Sequence, residues 1–283
     1  MNFRIIDAQL VTQNVKILFM DCNYFIGDDI TNALQCALTT EKSPVGKQVL
    51  SQLLENNEIA KQEQIPLCQD TGMSVLFVEY GDKVVIGNGN FKDAVEEGVR
   101  QAYIEGYLRK SVVNDPVFDR INTKDNTPAV IHTDIVHGDK ITITAGGKGF
   151  GSENMSAIKM LTPSYGERGV IDFILETVEK AGSNPCPPMV VGVGIGGTFE
   201  QCALLAKKAT FRSVNTSNPD KRYAEMEEYL LQQINKMGFG PAGLGGTTTA
   251  LGVNIETYPT HIAGMPVAVN ICCHSARHKT VTL

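Results

Sequence analysis

The sequence has 283 residues, of which 42% are hydrophobic and 20% are charged, so a sizeable core can be buried and the chain should be globular. Its formal net charge of −6 argues against binding to nucleic acid or to an anionic membrane, since both need a basic surface. No apolar run approaches the roughly 20 residues of a membrane-spanning helix, and the N-terminus lacks the pattern of a signal peptide, which predicts a cytoplasmic protein.

The first part of the chain, residues 1–62, is predicted to be helical. Asp28 precedes an apolar run with helical spacing, and Ser43-Pro44 is a helix cap followed by proline at the first helical position. Cys22 and Cys36 fall within this part and are interpreted as ordinary thiols of a core or a surface.

The remaining residues, 63–283, alternate strand and helix patterns, and together with the first part they are predicted to form one domain of residues 1–283. The fold class is α/β, with mixed sheets, packed helices and a helical N-terminal layer. A hairpin is predicted from the two strand patterns on either side of residues 137–139. The predicted strands are 73–78, 83–86, 128–136, 140–144, 189–193, 247–255 and 265–271, and the predicted helices are 91–108, 167–181, 198–208 and 223–237.

Two glycine-rich stretches could bring backbone close to a ligand. Residues 146–154 contain four glycines and a lysine after a strand, which suits either an anion site or a flexible loop. Residues 192–197 match the G-x-G-x-x-G pattern of dinucleotide-binding folds. Residues 212–221, however, offer no strand to carry the acidic ribose ligand. The glycines are therefore interpreted as allowing a close approach of a ligand or of another backbone segment.

Seven cysteines, in a chain without an export signal, predict thiols rather than disulfides. Three positions differ from the rest because each lies where a loop meets a strand: Cys68, Cys186, and one of the pair Cys272 and Cys273. Three thiolates far apart in sequence suit a [4Fe–4S] cluster with one iron open to substrate, although a zinc site is also compatible.

Four segments resemble class I iron–sulfur fumarate hydratase, in particular the alpha subunit of its two-subunit form, with the L-tartrate dehydratase alpha subunit as a close relative. They are Leu67-Cys68-Gln69-Asp70-Thr71-Gly72, Asn184-Pro185-Cys186-Pro187-Pro188, Gly196-Gly197-Thr198 and Cys273-His274-Ser275-Ala276-Arg277. The resemblance extends over nearly the whole chain. It implies the N-terminal (alpha) domain of a fumarase-type hydro-lyase with a [4Fe–4S] cluster, which hydrates fumarate to malate, a reaction of the tricarboxylic acid cycle.

The resemblance also implies roles for individual residues. Cys68, Cys186 and Cys273 would ligate the cluster, because the family's ending aligns on Cys273 rather than Cys272. The implied substrate-binding residues are Gln69, Asp70, Arg109, Gly149 and His261, of which Asp70 and His261 are also candidates for catalysis.

Simpler roles compete with two of these assignments. An aspartate before Thr-Gly often caps a turn, so Asp70 could serve the backbone alone. His261, after Pro-Thr, could be a loop residue that is hydrogen-bonded to the backbone.

Single-chain members of the family carry a second domain that contributes the catalytic base and further basic residues. The resemblance therefore implies a separate beta subunit that carries the base, in a dimer or an αβ-type oligomer. The alternatives are an L-tartrate dehydratase alpha subunit, a non-catalytic iron–sulfur sensor or electron-transfer protein, and an NAD-binding enzyme.

Overall fold

The computed structural model describes residues 3–283, and the backbone divides into two compact units. Unit one comprises the chain up to Gly27, Asn57–Gly149 and Arg277–Leu283, and unit two comprises Asp28–Asn56 and Phe150–Ala276. The assignment of residues 1–283 to one domain, with parts 1–62 and 63–283, stays a prediction.

The helices and strands alternate through most of the chain. In chain order they are β1 (Arg4–Asp7), α1 (Ala8–Tyr24), α2 (Asp28–Thr40), α3 (Pro44–Glu63), β2 (Met73–Gly81), β3 (Val84–Gly87), α4 (Phe91–Glu105), β4 (Val130–Val136), β5 (Ile141–Lys148), α5 (Phe150–Glu153), β6 (Ala157–Leu161), α6 (Gly166–Ala181), β7 (Met189–Gly196), α7 (Phe199–Ala209), α8 (Lys221–Lys236), β8 (Ala250–Tyr258), β9 (Met265–Cys272) and β10 (Lys279–Thr282).

The helical N-terminal part is present as α1, α2 and α3, but it begins with a strand. Residues Arg4–Asp7 form β1, which pairs in parallel with β3, and the helix prediction was wrong there. Ile6 is the buried residue of this strand, so tertiary pairing outweighs local helical preference. Asp7 then caps α1 by accepting a hydrogen bond from the N–H of Gln9 at 2.7 Å.

The main sheet of unit one has the order β10–β5–β2–β4. Strand β2 lies between β4, with which it is parallel, and β5, with which it is antiparallel. The predicted hairpin of β4 and β5 was therefore wrong: their connection is short, but β2 pairs with both of them along its length. Helices α1 and α4 pack with this sheet around a buried cluster that includes Phe19, Leu76, Tyr103 and Ile143.

The sheet of unit two has the order β6–β9–β7–β8, and β7 is buried along nearly its whole length. Gly192 and Gly194 of the dinucleotide-like pattern lie in this strand, where they allow helix α7 to pack closely, and Gly197 follows the strand. A Cβ atom on Gly194 would lie 2.1 Å from the carbonyl oxygen of Cys202, and one on Gly192 would lie 2.3 Å from that of Ala206. The close approach expected at these glycines is thus an approach to another backbone segment. Among the described residues, no helix is both long enough and apolar enough to cross a membrane.

Unit two contains a buried carboxylate that is hydrogen-bonded to two separate backbone segments. Glu41, which follows α2, is only 2% exposed. Its carboxylate accepts hydrogen bonds from the backbone N–H groups of Lys42 and Ser43 at 2.8 and 2.9 Å, and from those of Thr247 and Thr248, each at 2.8 Å. Burial opposes ionisation of Glu41, but these donors outweigh it and lower its pKa to about 2. The ionised carboxylate therefore connects the loop before β8 to the start of α3.

We expect Glu41→Gln to lower the free energy of unfolding by about 1–3 kcal/mol, because an amide cannot accept from all of these buried donors. The folded-state pKa lies below the ordinary value of 4.5, so this stabilisation is present above that value and is lost as the pH falls towards about 2. Urea unfolding near neutral pH and in acid measures both effects. Glu55→Gln, at an exposed site of α3, is the matched control. Equal unfolding midpoints for the two variants at neutral pH would contradict this role of Glu41.

Candidate functional site

The loop of residues 67–72 lies in unit one and leads directly into β2. Gly72 has φ +80°, a conformation that favours glycine, and a Cβ atom there would lie 2.6 Å from the carbonyl carbon of Lys148. The chain therefore turns sharply before the strand. The turn leaves Cys68 half-buried and Gln69 exposed.

Both the side chain and the backbone of Asp70 accept hydrogen bonds. Its Oδ1 accepts a hydrogen bond from the N–H of Gly72 at 3.0 Å, so the turn-capping role considered for it is present. Its carbonyl oxygen accepts a hydrogen bond from the buried guanidinium of Arg277. A Cβ atom on Gly149 would lie 3.2 Å from Oδ2, so glycine leaves room beside the carboxylate. Asp70 and Gly149, two of the predicted substrate contacts, are thus neighbours.

Tyr103 fixes the backbone of the same loop from within the core. Its hydroxyl lies 3.1 Å from the carbonyl oxygen of Thr71 and 2.9 Å from that of Gly72. Burial raises the pKa of Tyr103, so the hydroxyl stays protonated and can donate. Polar backbone groups next to a buried strand need such partners.

The backbone of Arg109 is hydrogen-bonded to this loop. The hydroxyl of Thr71 donates to the carbonyl oxygen of Arg109 at 2.9 Å, and the side chain of Arg109 is exposed. Unit one therefore gathers four of the predicted substrate contacts, Gln69, Asp70, Arg109 and Gly149, on adjoining loops. An arginine beside amide, carboxylate and backbone groups can bind a small anion such as a carboxylate.

Cys186 lies in unit two, in the proline-rich loop before β7. Its backbone has φ +54°, an uncommon conformation for a residue other than glycine, and its N–H donates to the carbonyl oxygen of Ser183 at 3.1 Å. The flanking Pro185 and Pro187 are buried, whereas Cys186 is exposed. Strained backbone at an exposed cysteine is typical of a functional position.

Cys273 lies beside the Cys186 loop. The N–H of His274 is 3.4 Å from the carbonyl oxygen of Cys186, which makes a long hydrogen bond between the two segments. Cys272 is the last residue of β9, opposite Val190, and is buried, whereas Cys273 follows the strand and is half-buried.

His261 is exposed in the turn between β8 and β9. Its Nδ1 accepts a hydrogen bond from the N–H of Ala263 at 3.2 Å, so the backbone-bonded role considered for it is present. Strand β9 has 8 residues, which span roughly 27 Å. His261 precedes this strand and Cys273 follows it, so unit two does not bring these two residues together.

The cysteines differ in their accessibility. Cys22 and Cys202 are fully buried, and burial raises the pKa of both thiols, that of Cys22 to about 11. Cys186 is exposed and Cys273 is half-buried, on adjacent segments, and thiolate ligands at such positions suit a soft metal centre. Cys68 belongs to unit one. Within residues 3–283, no three His, Cys, Asp or Glu side chains are grouped closely enough to hold a single metal ion.

Sequence reasoning missed the residues that hold the loops of the predicted substrate contacts. Tyr103 lies within helix α4, and Asn126 lies in an irregular segment; both donate to the carbonyl oxygen of Gly72. Their separation from Gly72 in sequence is 31 and 54 residues, so no local pattern could have identified them.

The family of this chain follows from a match over nearly its whole length. The sequence model of the family described as fumarate hydratase (Fumerase) matches residues 12–282. The chain belongs to this family. The resemblance stated for the four segments, the α/β fold class and the hydro-lyase class of enzyme are thereby confirmed.

Similar proteins carry a different substrate in their names. A protein of Methanocaldococcus jannaschii named putative L(+)-tartrate dehydratase subunit alpha is 42% identical over 271 residues, covering 94% of this chain and 95% of the relative. The L(+)-tartrate dehydratase subunit alpha of Escherichia coli K12 is 33% identical over 258 residues, covering 90% of this chain and 84% of the relative. The protein of that name from Shigella sonnei shows the same identity and coverage.

The environments of the cysteines predict their reactivity. In the native chain without a cluster, we expect Cys36 to be alkylated at least about 100-fold faster than Cys22, whose raised pKa reduces the thiolate and whose burial blocks access. Cys202 should be protected in the same way as Cys22. Mass spectrometry of iodoacetamide-treated protein measures the rates, and urea-unfolded protein is the control in which all sites should react. Equal labelling of Cys22 and Cys36 in the native chain would contradict the burial described.

Proposed function

We propose that this chain is the alpha subunit of an iron–sulfur hydro-lyase that reversibly adds water to the double bond of a dicarboxylate. The observation that carries the proposal is the grouping of Asp70, Gly149 and Arg109 on adjoining loops of unit one. The exposed Gln69 on the same loop adds a hydrogen-bond donor. Family membership supplies the class of reaction.

Arg109 binds one substrate carboxylate with its planar guanidinium, in two parallel hydrogen bonds. Gln69 donates to a carboxylate oxygen. Asp70, whose carboxylate lies beside Gly149, orients the substrate hydroxyl or the leaving water by accepting a hydrogen bond from it. His261 is kept as a proposed further contact and candidate for catalysis, on the strength of the resemblance alone.

We propose Cys68, Cys186 and Cys273 as the ligands of a [4Fe–4S] cluster. The accessible thiols of Cys186 and Cys273, on segments joined by the hydrogen bond from His274 to Cys186, support two of these assignments. Burial of Cys272 inside β9 favours Cys273 over its neighbour. When bound, a cluster with one iron lacking a protein ligand supplies a Lewis acid for the substrate hydroxyl.

The proposed cluster predicts a pattern of protection. After anaerobic reconstitution with iron and sulfide, alkylation of Cys68, Cys186 and Cys273 should be suppressed relative to the chain without cluster, whereas Cys36 should react equally in both. Cys186→Ser should lower the iron and sulfide content, and Cys36→Ser, also at an exposed thiol, should not. Unchanged iron content in Cys186→Ser, or loss of the cluster in Cys36→Ser, would contradict the ligand set.

A beta subunit is proposed as the partner that completes the site and supplies the catalytic base. Its support is that the relatives described above are named as alpha subunits. The assembly would be a dimer or an αβ-type oligomer.

Fumarate and malate are our first proposed substrates, which would give the enzyme a place in the tricarboxylic acid cycle. L(+)-tartrate is the second candidate, and it is favoured by the names of the relatives. Both substrates are dicarboxylates, so the contacts proposed for Arg109 and Gln69 suit either one.

Assays of the separate and combined subunits test this proposal. The cluster-loaded chain alone should hydrate fumarate poorly, and addition of the beta subunit should restore activity. The ratio of kcat/KM for malate to that for L(+)-tartrate, measured with the complex, identifies the substrate. Full activity of the isolated chain would contradict the need for a partner, and inactivity of the complex on both compounds would contradict the proposed reaction.

A further inference from the structure

Residues 106–129 of unit one, between α4 and β4, contain no helix and only one isolated β-bridge, from Val113 to Asn122. This segment carries Arg109, and long irregular segments within compact units are usually functional. Most of its side chains are exposed. Its position therefore has to be fixed by a small number of buried contacts.

Asn126 provides such a contact. Its side chain is 0% exposed, and its backbone has φ +64°, a conformation that asparagine tolerates better than most residues. Its Nδ2 donates to the carbonyl oxygen of Gly72 at 3.2 Å, and its Oδ1 accepts from the N–H of Ser111 at 2.8 Å. One amide thus joins the end of the Asp70 loop to a residue just after Arg109.

A second connection runs beside the first. Thr71, 1% exposed, donates its hydroxyl to the carbonyl oxygen of Arg109 at 2.9 Å. Residues 109–111 are therefore attached to residues 71–72 at two points, and both attachments are buried or half-buried. Asp70 immediately precedes these attachment points, so the separation of Asp70 and Arg109 is determined by them.

We infer that Asn126 is a positioning residue that sets the separation between Arg109 and the Gln69–Asp70 loop, through hydrogen bonds to the backbone of Gly72 and Ser111. The inference rests on the proposed function. On that function, the separation between Arg109 and the loop has to match the spacing of the two carboxylates of the substrate. An amide suits the position because it combines one donor and one acceptor in a short side chain. Aspartate has nearly the same shape but cannot donate to the Gly72 carbonyl.

The central experiment compares Asn126→Asp with Asn122→Asp in the cluster-loaded complex with the beta subunit. Asn122 lies in the same segment and also bridges two backbone groups, the carbonyl of Lys110 and the N–H of Lys124, but it is exposed and does not reach the Asp70 loop. We expect Asn126→Asp to raise KM by about tenfold, as for the loss of one buried hydrogen bond. Asn122→Asp should leave KM within about twofold of wild type.

Two further measurements separate positioning from a general loss of stability. In an Arg109→Ala background, Asn126→Asp should cause little further rise in KM, because the two changes act on the same contact. The preference for a saturated dicarboxylate inhibitor over the matching monocarboxylate should also fall in Asn126→Asp. A merely destabilised protein would lose active molecules and therefore kcat, without a change in this preference.

A measurement independent of activity follows the segment itself. Hydrogen exchange of the peptide covering residues 107–115 should be faster in Asn126→Asp than in wild type, and by more than in Asn122→Asp, which loses only an exposed hydrogen bond to Lys110. If Asn126→Asp does not fold, Thr71→Val removes the second connection, and Thr71→Ser, which retains the hydroxyl, should restore both exchange and KM.

The outcomes distinguish failure of the inference from failure of the proposed function. Additive effects of Asn126→Asp and Arg109→Ala on KM, or unchanged exchange in Asn126→Asp, would overturn the positioning role alone. An unchanged KM in Arg109→Ala would overturn the proposed carboxylate contact and the positioning role together.

Discussion

Three consecutive backbone carbonyl groups, those of Asp70, Thr71 and Gly72, accept hydrogen bonds from side chains that lie far away in the sequence. Arg277 donates to the first, and Tyr103 lies within hydrogen-bonding distance of the other two. A loop backbone next to a buried strand must satisfy its polar groups, and here buried side chains of unit one do so. The conformation that presents Gln69 and Asp70 is therefore a property of the whole unit.

In unit two, the buried side chain accepts hydrogen bonds from the backbone instead of donating them. Glu41 is a buried acceptor that collects backbone N–H groups from two segments, including the loop that precedes β8. That loop reaches the cysteine segment, because the N–H of Ala242 donates to the carbonyl oxygen of Pro187, next to Cys186, at 2.8 Å. In both units, a buried polar side chain thus holds the backbone near a candidate site residue.

Local patterns predicted most of the elements, because caps and apolar spacing act over a few residues. Asp28 and Ser43-Pro44 marked the starts of α2 and α3 correctly. The errors arose where distant segments compete: β2 separates β4 from β5, and β1 pairs with β3. The candidate site shows the same division. The motifs made Asp70 and Cys186 candidates, whereas Tyr103 and Asn126 act across large sequence separations and carry no local signal.

The positions of Arg109, Gln69 and Asp70 also bear on substrate choice. Fumarate and tartrate share two carboxylates, and the exposed arginine and amide of unit one suit those shared groups. Discrimination between the substrates depends on hydroxyl groups, and a site rejects a substrate strongly only when a buried polar partner would be left unsatisfied. Asp70, whose carboxylate lies beside Gly149, is the described residue of this set best suited to sense a hydroxyl. On the proposed function, binding of the dicarboxylate and recognition of its hydroxyl groups are therefore separate tasks, performed by different residues of the same pair of loops.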